Sequence, residues 1–160
     1  MNKRQNQLAL ILFNLRSTYN VGAIFRTADA VGISNIYLIG TTPKPIDDYD
    51  RINGQIAKTA LGAEKTIPWE YRKTLLPLIK KLRKAEKNII ALEQDDGAID
   101  YRKIKLKQDS VLILGEETRG LSKSILKQVD QIMEIPMVGE KESLNVSVAA
   151  GIATYCLLKP

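Results

Sequence analysis

Residues 8–20 read LALILFNLRSTYN, and this segment decides the class of fold. Its first eight residues are almost continuously apolar and do not alternate with polar residues, which is typical of a strand buried on both faces of a parallel sheet. The polar residues from Ser17 to Asn20 are of the types that begin helices. Apolar residues then recur at helical spacing from Val21 to Val31, and Gly32 ends the helix. A buried strand followed at once by a helix predicts an α/β protein.

The same alternation continues along the chain. Further strands are predicted at 35–39, 88–92, 110–114 and 132–135. Helices are predicted at 75–86, 121–129 and 146–158, the last apolar around most of its circumference and therefore expected to be buried. Residues 41–65 have no firm assignment beyond a loop at 41–50 and a possible helix at 52–61. We expect one domain over residues 1–160, with a mainly parallel sheet and helices on both of its faces.

Composition excludes several classes of chemistry. The 160 residues include one cysteine, Cys156, and no histidine. An intrachain disulfide, a histidine-based catalytic triad and a histidine–cysteine zinc site are therefore excluded. The N-terminus is polar and the apolar runs are too short to cross a bilayer, so the sequence predicts a soluble, cytoplasmic protein with no membrane partner.

The net charge of +6 is unevenly distributed. Residues 51–107 carry fourteen basic and seven acidic side chains, whereas residues 108–160 carry five basic and seven acidic ones. The basic residues include the run at 80–84. A positive central segment favours binding to a polyanion such as nucleic acid, although a solvated helix face explains the same pattern.

Three segments contain candidate functional residues. In the first, Arg26 is predicted to point away from the apolar stripe of its helix, among Gly22, Ala23 and Ala30, where a ligand could approach closely. Its guanidinium is suited to grip a phosphate through two hydrogen bonds, and the alternative is an ordinary solvated arginine.

The second segment, residues 112–122, places Gly115 and Gly120 five apart after a buried strand. This is the glycine spacing of a phosphate-binding P-loop, but Leu121-Ser122 replaces the required Lys-Ser/Thr, and two acids in the turn would repel phosphates. Glu116 suits a ribose hydroxyl or an amine instead. The alternative is a helix-start turn with acids at the favourable end of the dipole.

In the third segment, residues 135–151, a strand stops at Pro136 and a polar loop leads to the last helix, which Ser143 or Asn145 is predicted to cap. Together and in this order, the three segments resemble the SpoU/TrmH branch of the SPOUT superfamily, the RNA ribose 2′-O-methyltransferases. The matching motifs are residues 20–28, residues 115–122, and residues 135–137 with 143–147.

The resemblance implies a C-terminal trefoil knot, a homodimer, and S-adenosylmethionine (SAM) as methyl donor to the ribose of tRNA or rRNA, without a metal. Arg26 would be the key catalytic residue, supported by Asn20 and Asn145. The residues expected to bind the cofactor are Leu92, Gly115, Glu116, Ile135, Ser143 and Leu144. Arginine essentially never loses its proton, so we expect Arg26 to orient the phosphate and ribose rather than to act as the base.

Some alternatives stay open at this point. The same fold could serve as a non-catalytic RNA-binding or assembly factor, or could methylate a base nitrogen, whereas an oxidoreductase is disfavoured because no Gly-x-Gly-x-x-Gly follows a strand. Tyr155 matches an aromatic position near the substrate in small members of the family, but a core tyrosine is an equal alternative. Because few residues flank the predicted elements, we expect substrate choice to rest on this domain and its dimer partner.

Overall fold

Seven strands form one sheet in which every neighbouring pair is parallel. The computed structural model describes residues 6–160. The strands are β1 (Leu8–Phe13), β2 (Ile36–Ile39), β3 (Trp69–Arg72), β4 (Asn88–Leu92), β5 (Ile99–Asp100), β6 (Ser110–Leu114) and β7 (Gln131–Glu134). Their order across the sheet is β3-β2-β1-β6-β4-β7-β5. The predicted parallel sheet is therefore confirmed, and β6 is its fourth and central strand.

Helices cover both faces of the sheet, as predicted. They are α1 (Thr18–Val31), α2 (Gly54–Ala60), α3 (Ala63–Thr66), α4 (Leu76–Lys84), α5 (Lys123–Leu126) and α6 (Val146–Leu158), with a 3-10 turn at Tyr101–Lys103. Side chains on one face of β1 pack with α1, α2, α3 and α6. Side chains on the other face pack with α4 and α5. Burial on both sides explains why the central strands are continuously apolar.

Three predicted helix boundaries depend on capping residues that the structure contains. The Ser17 side chain accepts a hydrogen bond from the backbone N–H of Asn20 and begins α1. Gly32 ends α1 in the left-handed region, with φ of 78°. Asn145 begins α6 by accepting a hydrogen bond from the N–H of Ser147. Of the two residues predicted as possible caps of the last helix, Asn145 has this role.

The sequence pattern missed β3, β5 and α3, and also the 3-10 turn at Tyr101–Lys103. β3 has four residues with polar residues in alternation, and β5 has two residues, so neither shows the apolar run of a buried strand. α3 is a single turn that follows Gly62. The predicted helix at 52–61 is confirmed as α2, but it begins after the cap residue Asn53.

The expectation that the whole of α6 is buried is wrong. One side of the helix packs against α1 and the 3-10 turn and buries Ala150, Ala153 and Leu157. On the other side Val148 is 50% exposed and Tyr155 is 51% exposed, and no other part of residues 6–160 covers them. The interpretation of Tyr155 as a core residue is therefore also wrong. The apolar composition of α6 shows how hydrophobic the helix is, but it does not show which of its sides other elements of the same chain cover.

Across residues 6–160, no helix combines the length and the hydropathy that crossing a bilayer requires.

Candidate functional site

A cavity opens at the carboxyl ends of the central strands. The loops that follow β4, β6 and β7 form its walls, together with the start of α6. Its volume is about 320 Å³, which lies within the range for small-molecule sites. In open parallel sheets, ligands bind at this edge because loops from neighbouring strands converge there.

The lining of the cavity is apolar on the strand side and polar on the loop side. Leu92, Leu114, Ile135 and Val146 provide apolar surface, and Glu93, Gln94 and Glu116 provide polar atoms. The six residues expected from the sequence to bind a cofactor all line this one cavity; they are Leu92, Gly115, Glu116, Ile135, Ser143 and Leu144. Four segments that are distant in the sequence thus contribute to a single concave surface.

The two glycines of the turn after β6 bring its backbone close together. A Cβ built on Gly115 would lie 2.7 Å from the carbonyl carbon of Gly120. Gly120 has φ of 61°, in the left-handed region that favours glycine, and a Cβ there would lie 2.2 Å from Oε2 of Glu93. That oxygen accepts a hydrogen bond of 2.7 Å from the N–H of Leu121. The glycine spacing therefore serves a tight turn held by a carboxylate, and not a cradle for phosphate.

A chain of side-chain hydrogen bonds connects the three motifs at the rim of the cavity. Nδ2 of Asn145 donates to Oδ1 of Asn20 over 3.1 Å, and Nδ2 of Asn20 donates to Oε1 of Glu117 over 3.1 Å. Oδ1 of Asn145 accepts from the N–H of Ser147, which fixes the direction of its amide. The two asparagines that the resemblance implied as supporting residues are therefore in contact, although 125 positions separate them.

Glu117 is a residue of this site that the sequence reasoning did not select. Its carboxylate also accepts hydrogen bonds from the backbone N–H groups of Arg16 and Ser17. Burial acts to raise the pKa of Glu117, but the hydrogen bonds from Asn20 and from backbone N–H groups outweigh it and hold the pKa below its ordinary value. Its partners lie about 100 residues away in the sequence, so no local spacing could have identified it.

Glu116, the acid that the sequence analysis favoured, also lines the cavity. Its Oε1 lies 3.6 Å from Nη1 of Arg16, a guanidinium that is largely exposed. A pair with one exposed partner is weak and leaves most of the carboxylate free to accept hydrogen bonds from a ligand.

The structure does not bring Arg26 to this cavity. Arg26 is exposed on α1, six residues beyond Asn20, which corresponds to about 9 Å along the helix axis. Within residues 6–160 its guanidinium has no hydrogen bond, ion pair or aromatic ring as partner. The open face of small residues predicted around it is partly wrong, because Gly22 is buried against α2. A Cβ on Gly22 would lie 2.0 Å from Oγ1 of Thr59 and 2.5 Å from the carbonyl oxygen of Ile56.

The chain is similar in sequence to proteins that are named as RNA ribose methyltransferases. Over 153 residues, the chain is 29% identical to the tRNA (guanosine(18)-2′-O)-methyltransferase of Escherichia coli K12, covering 96% of this chain and 63% of that protein. It is 30% identical over 149 residues to a 23S rRNA (guanosine-2′-O-)-methyltransferase of Bordetella pertussis, covering 92% of this chain and 58% of that protein. The chain spans less than two thirds of the length of both relatives.

The fold has a close match among solved structures. The AdoMet-bound rRNA methyltransferase of Sinorhizobium meliloti superposes with a TM-score of 0.84 at 27% identity, covering 98% of this chain and 57% of that one. Residues 7–155 match the family described as the SpoU rRNA Methylase family. That range contains all three motifs and every residue of the cavity described above, and the chain belongs to the SpoU rRNA methylase family.

Proposed function

We propose that this protein transfers the methyl group of S-adenosylmethionine to the 2′-oxygen of a ribose in tRNA or rRNA. The observation that carries the proposal is the convergence of three family motifs, far apart in the chain, on one cavity and its rim. Relatives of this family from Escherichia coli and Bordetella pertussis are named as ribose methyltransferases of tRNA and rRNA. A related structure is described as bound to AdoMet.

The cavity fits the chemistry of such a cofactor. Apolar side chains of Leu92, Ile135 and Leu144 suit the faces of an adenine ring, and carboxylates and backbone groups of the 115–121 turn suit ribose hydroxyls and an amine. When bound, the cofactor supplies an activated methyl group. Two acids in the cavity's glycine turn, and Leu121-Ser122 in place of the required Lys-Ser/Thr, disfavour a nucleoside triphosphate at the same position.

The chain's own residues bind and orient the reactants. The hydrogen bonds among Asn145, Asn20 and Glu117 hold the rim in one arrangement beside the cavity. Arg26, which has no partner among the described residues, is free to grip an RNA phosphate with two parallel hydrogen bonds and so to orient the adjoining ribose. Holding the ribose oxygen in line with the methyl group supplies much of the acceleration of such a transfer.

A homodimer would complete the site. Arg26 lies away from the cavity of its own chain, so we propose that it acts beside the cavity of a second copy. The half-exposed apolar side chains Val148 and Tyr155 on α6, which packs against α1, support an interface on this side. Because α1 and α6 lie together, burying that side would bring Arg26 of each copy near the interface.

Mixing inactive variants tests the shared site. Arg26→Ala and Asn145→Ala should each be inactive alone. Mixed after partial unfolding and refolding, they should recover up to about a quarter of normal turnover per chain, because half of the chains form mixed dimers with one intact site. A mixture that stays inactive while the two variants demonstrably co-assemble would contradict an active site shared between copies.

Labelled cofactor tests the activity itself. The protein is incubated with methyl-labelled SAM and with tRNA or rRNA that carries no modifications, and the label is mapped by mass spectrometry. Ribose methylation predicts a dinucleotide at the labelled position that resists nucleases. Label on a base would replace the proposal with base methylation, and failure to bind SAM would favour a non-catalytic RNA-binding factor.

We also propose that residues 1–160 act as one methyltransferase domain with a C-terminal trefoil knot and that the protein works in the cytoplasm. The match over residues 7–155 and the single sheet support the first point. The packing of α6 against the 3-10 turn that precedes β6 is consistent with a knotted path. An RNA substrate of the tRNA or rRNA type supports the location.

A further inference from the structure

The two helices on the second face of the sheet form one continuous surface. α4 and α5 both pack on this face. Arg83 of α4 contacts the segment that follows α5: its Nη2 donates to the carbonyl oxygen of Gln128 over 2.9 Å and lies 3.2 Å from Oδ1 of Asp130. These contacts tie α4 to the segment that begins two residues after α5 ends, on the same face of the sheet.

The solvent side of this surface carries five exposed lysines, which we call the lysine face: Lys80, Lys81, Lys84, Lys123 and Lys127. In the described part of the chain, none of the five forms an ion pair. Glu86 is the one acidic residue between positions 71 and 92. The nearby carboxylate of Asp130 is already paired with Arg83. The positive charge of the lysine face is therefore not neutralised from within the protein.

The lysines are regularly spaced. Lys80 and Lys84 lie about 6 Å apart along the axis of α4, opposite the buried side of Leu78 and Leu82. Lys123 and Lys127 are also four residues apart, and the N–H of Lys127 donates to the carbonyl of Lys123 in a helical turn. Two rows of ammonium groups thus lie on neighbouring helices of one face.

The lysine face begins at the rim of the cavity. Arg119 lines the cavity, and Lys123 follows three residues after Gly120 at the end of the turn. From there the charges extend over Lys127 to α4, away from the carboxyl edge of the sheet. A polyanion with one unit at the cavity could therefore continue over Arg119 and along these lysines.

We propose that the lysine face docks the sugar–phosphate backbone of the RNA substrate outside the reaction site. This inference rests on the proposed function for the identity of the polyanion. Ammonium groups on flexible stems bind phosphates as point charges and do not read base edges. The face would therefore add affinity that depends strongly on salt, and leave the choice of nucleotide to the cavity.

Neutralising three lysines tests the proposal on the full chain. The variant Lys80→Gln/Lys84→Gln/Lys127→Gln removes charges that have no partner in the described structure, so its folding should be unaffected. The matched control is Lys65→Gln/Lys105→Gln/Lys159→Gln, which removes three exposed lysines from α3, the segment before β6 and the end of α6, on the opposite face. Both variants lose the same net charge.

Binding is measured by fluorescence anisotropy with a labelled, unmodified tRNA transcript between 50 and 300 mM KCl. The lysine-face variant should bind at least about tenfold more weakly at 0.1 M salt, and the slope of log K against log salt should fall by about 2 to 3. The control should bind within about twofold of the unaltered protein. SAM affinity, and turnover at saturating RNA, should be unchanged.

Unchanged RNA affinity and salt slope in the lysine-face variant would overturn the proposal. An equal loss in the control variant would also overturn it, because the effect would then follow net charge rather than position. Failure of the proposed activity gives a different result. If the unaltered protein transfers no methyl group to any RNA, but only the lysine-face variant loses RNA binding, the docking proposal stands and the proposed activity is wrong. If the lysine-face variant methylates RNA normally with an unchanged KM for RNA, the docking proposal is overturned and the proposed activity is not affected.

Discussion

The amide of Asn145 donates a hydrogen bond to Oδ1 of Asn20 over 3.1 Å and at the same time caps α6 through its own Oδ1. One side chain therefore both begins the last helix and orients a residue of the first helix. Asn20 in turn donates to Glu117, so its amide is held from both ends. Because Asn145 has both roles, substitutions at Asn145 can separate loss of the helix cap from loss of the contact with Asn20.

Asn145→Asp should keep the helix cap and lose the orientation of Asn20. Aspartate accepts from the N–H of Ser147 as asparagine does, so the free energy of unfolding should change by less than about 0.5 kcal/mol. Its carboxylate and that of Glu117 would both compete for the Nδ2 group of Asn20. Methyl transfer should fall, measured as initial rate at saturating SAM and RNA. Full activity in a variant of normal stability would show that the contact between the asparagines is dispensable.

Glu117 should contribute stability that disappears in acid. Its folded-state pKa is lowered, because hydrogen bonds to the carboxylate outweigh burial, so its contribution is fully present above the ordinary glutamate pKa of about 4.3 and is lost as pH falls through the lowered value. Urea unfolding of the unaltered protein and Glu117→Gln, compared from pH 7 to pH 3, should show a difference that shrinks towards pH 3. A difference that stays constant or grows in acid would contradict the assignment of these hydrogen bonds to the charged form.

Gly120→Ala should destabilise the cavity wall. The left-handed backbone at Gly120 costs about 1–2 kcal/mol for an alanine, and the new Cβ would push the Glu93 carboxylate away from the N–H of Leu121. SAM affinity should fall together with the free energy of unfolding. The control is Gly139→Ala, in a loop where a Cβ meets no atom within 4 Å, and its stability should change by less than about 0.5 kcal/mol. Equal effects in the two variants would argue against the tight turn as the cause.

Arg26→Lys should retain the charge and lose the two-point grip on a phosphate that we propose for Arg26. Lysine offers a single rotating ammonium group, so the ribose would be oriented less well, and turnover should fall by about a hundredfold. SAM affinity should be unchanged, because Arg26 does not line the cavity. Isothermal titration with SAM and single-turnover methylation separate the two quantities. Near-normal turnover in the lysine variant would show that the planar guanidinium is unnecessary.

Much of the fold could be predicted because burial leaves a direct mark on the sequence. β4 and β6 are found within the predicted bounds, since strands covered on both faces are continuously apolar. β3 and β5 lie at the edges of the sheet, where a few backbone hydrogen bonds suffice to pair a short strand and the side chains carry little signal. The exposure of the outer side of α6 could not be predicted for a related reason: apolar residues do not reveal whether their partner belongs to the same chain.

The candidate site could be predicted in part. Leu92, Gly115 and Ile135 were selected through a family resemblance, and no periodicity would have joined them. The role of Gly22 was misjudged because a small residue looks the same whether it admits a ligand or a neighbouring helix such as α2. Glu117 was missed because its hydrogen bonds depend on the return of the chain to the end of β1.

The central position of β6 has a consequence for how the molecule is made. β1 and β4 both pair with β6, yet residues 110–114 leave the ribosome after both of these strands. Until then, the nascent polypeptide can pair β1 with β2 and β2 with β3, but β4 has no strand to pair with because its partners are β6 and β7. Both fragments expose unpaired edges, which are prone to wrong associations. Because its key pairings join distant residues, this sheet should form slowly and would benefit from chaperones until residues 110–114 are available.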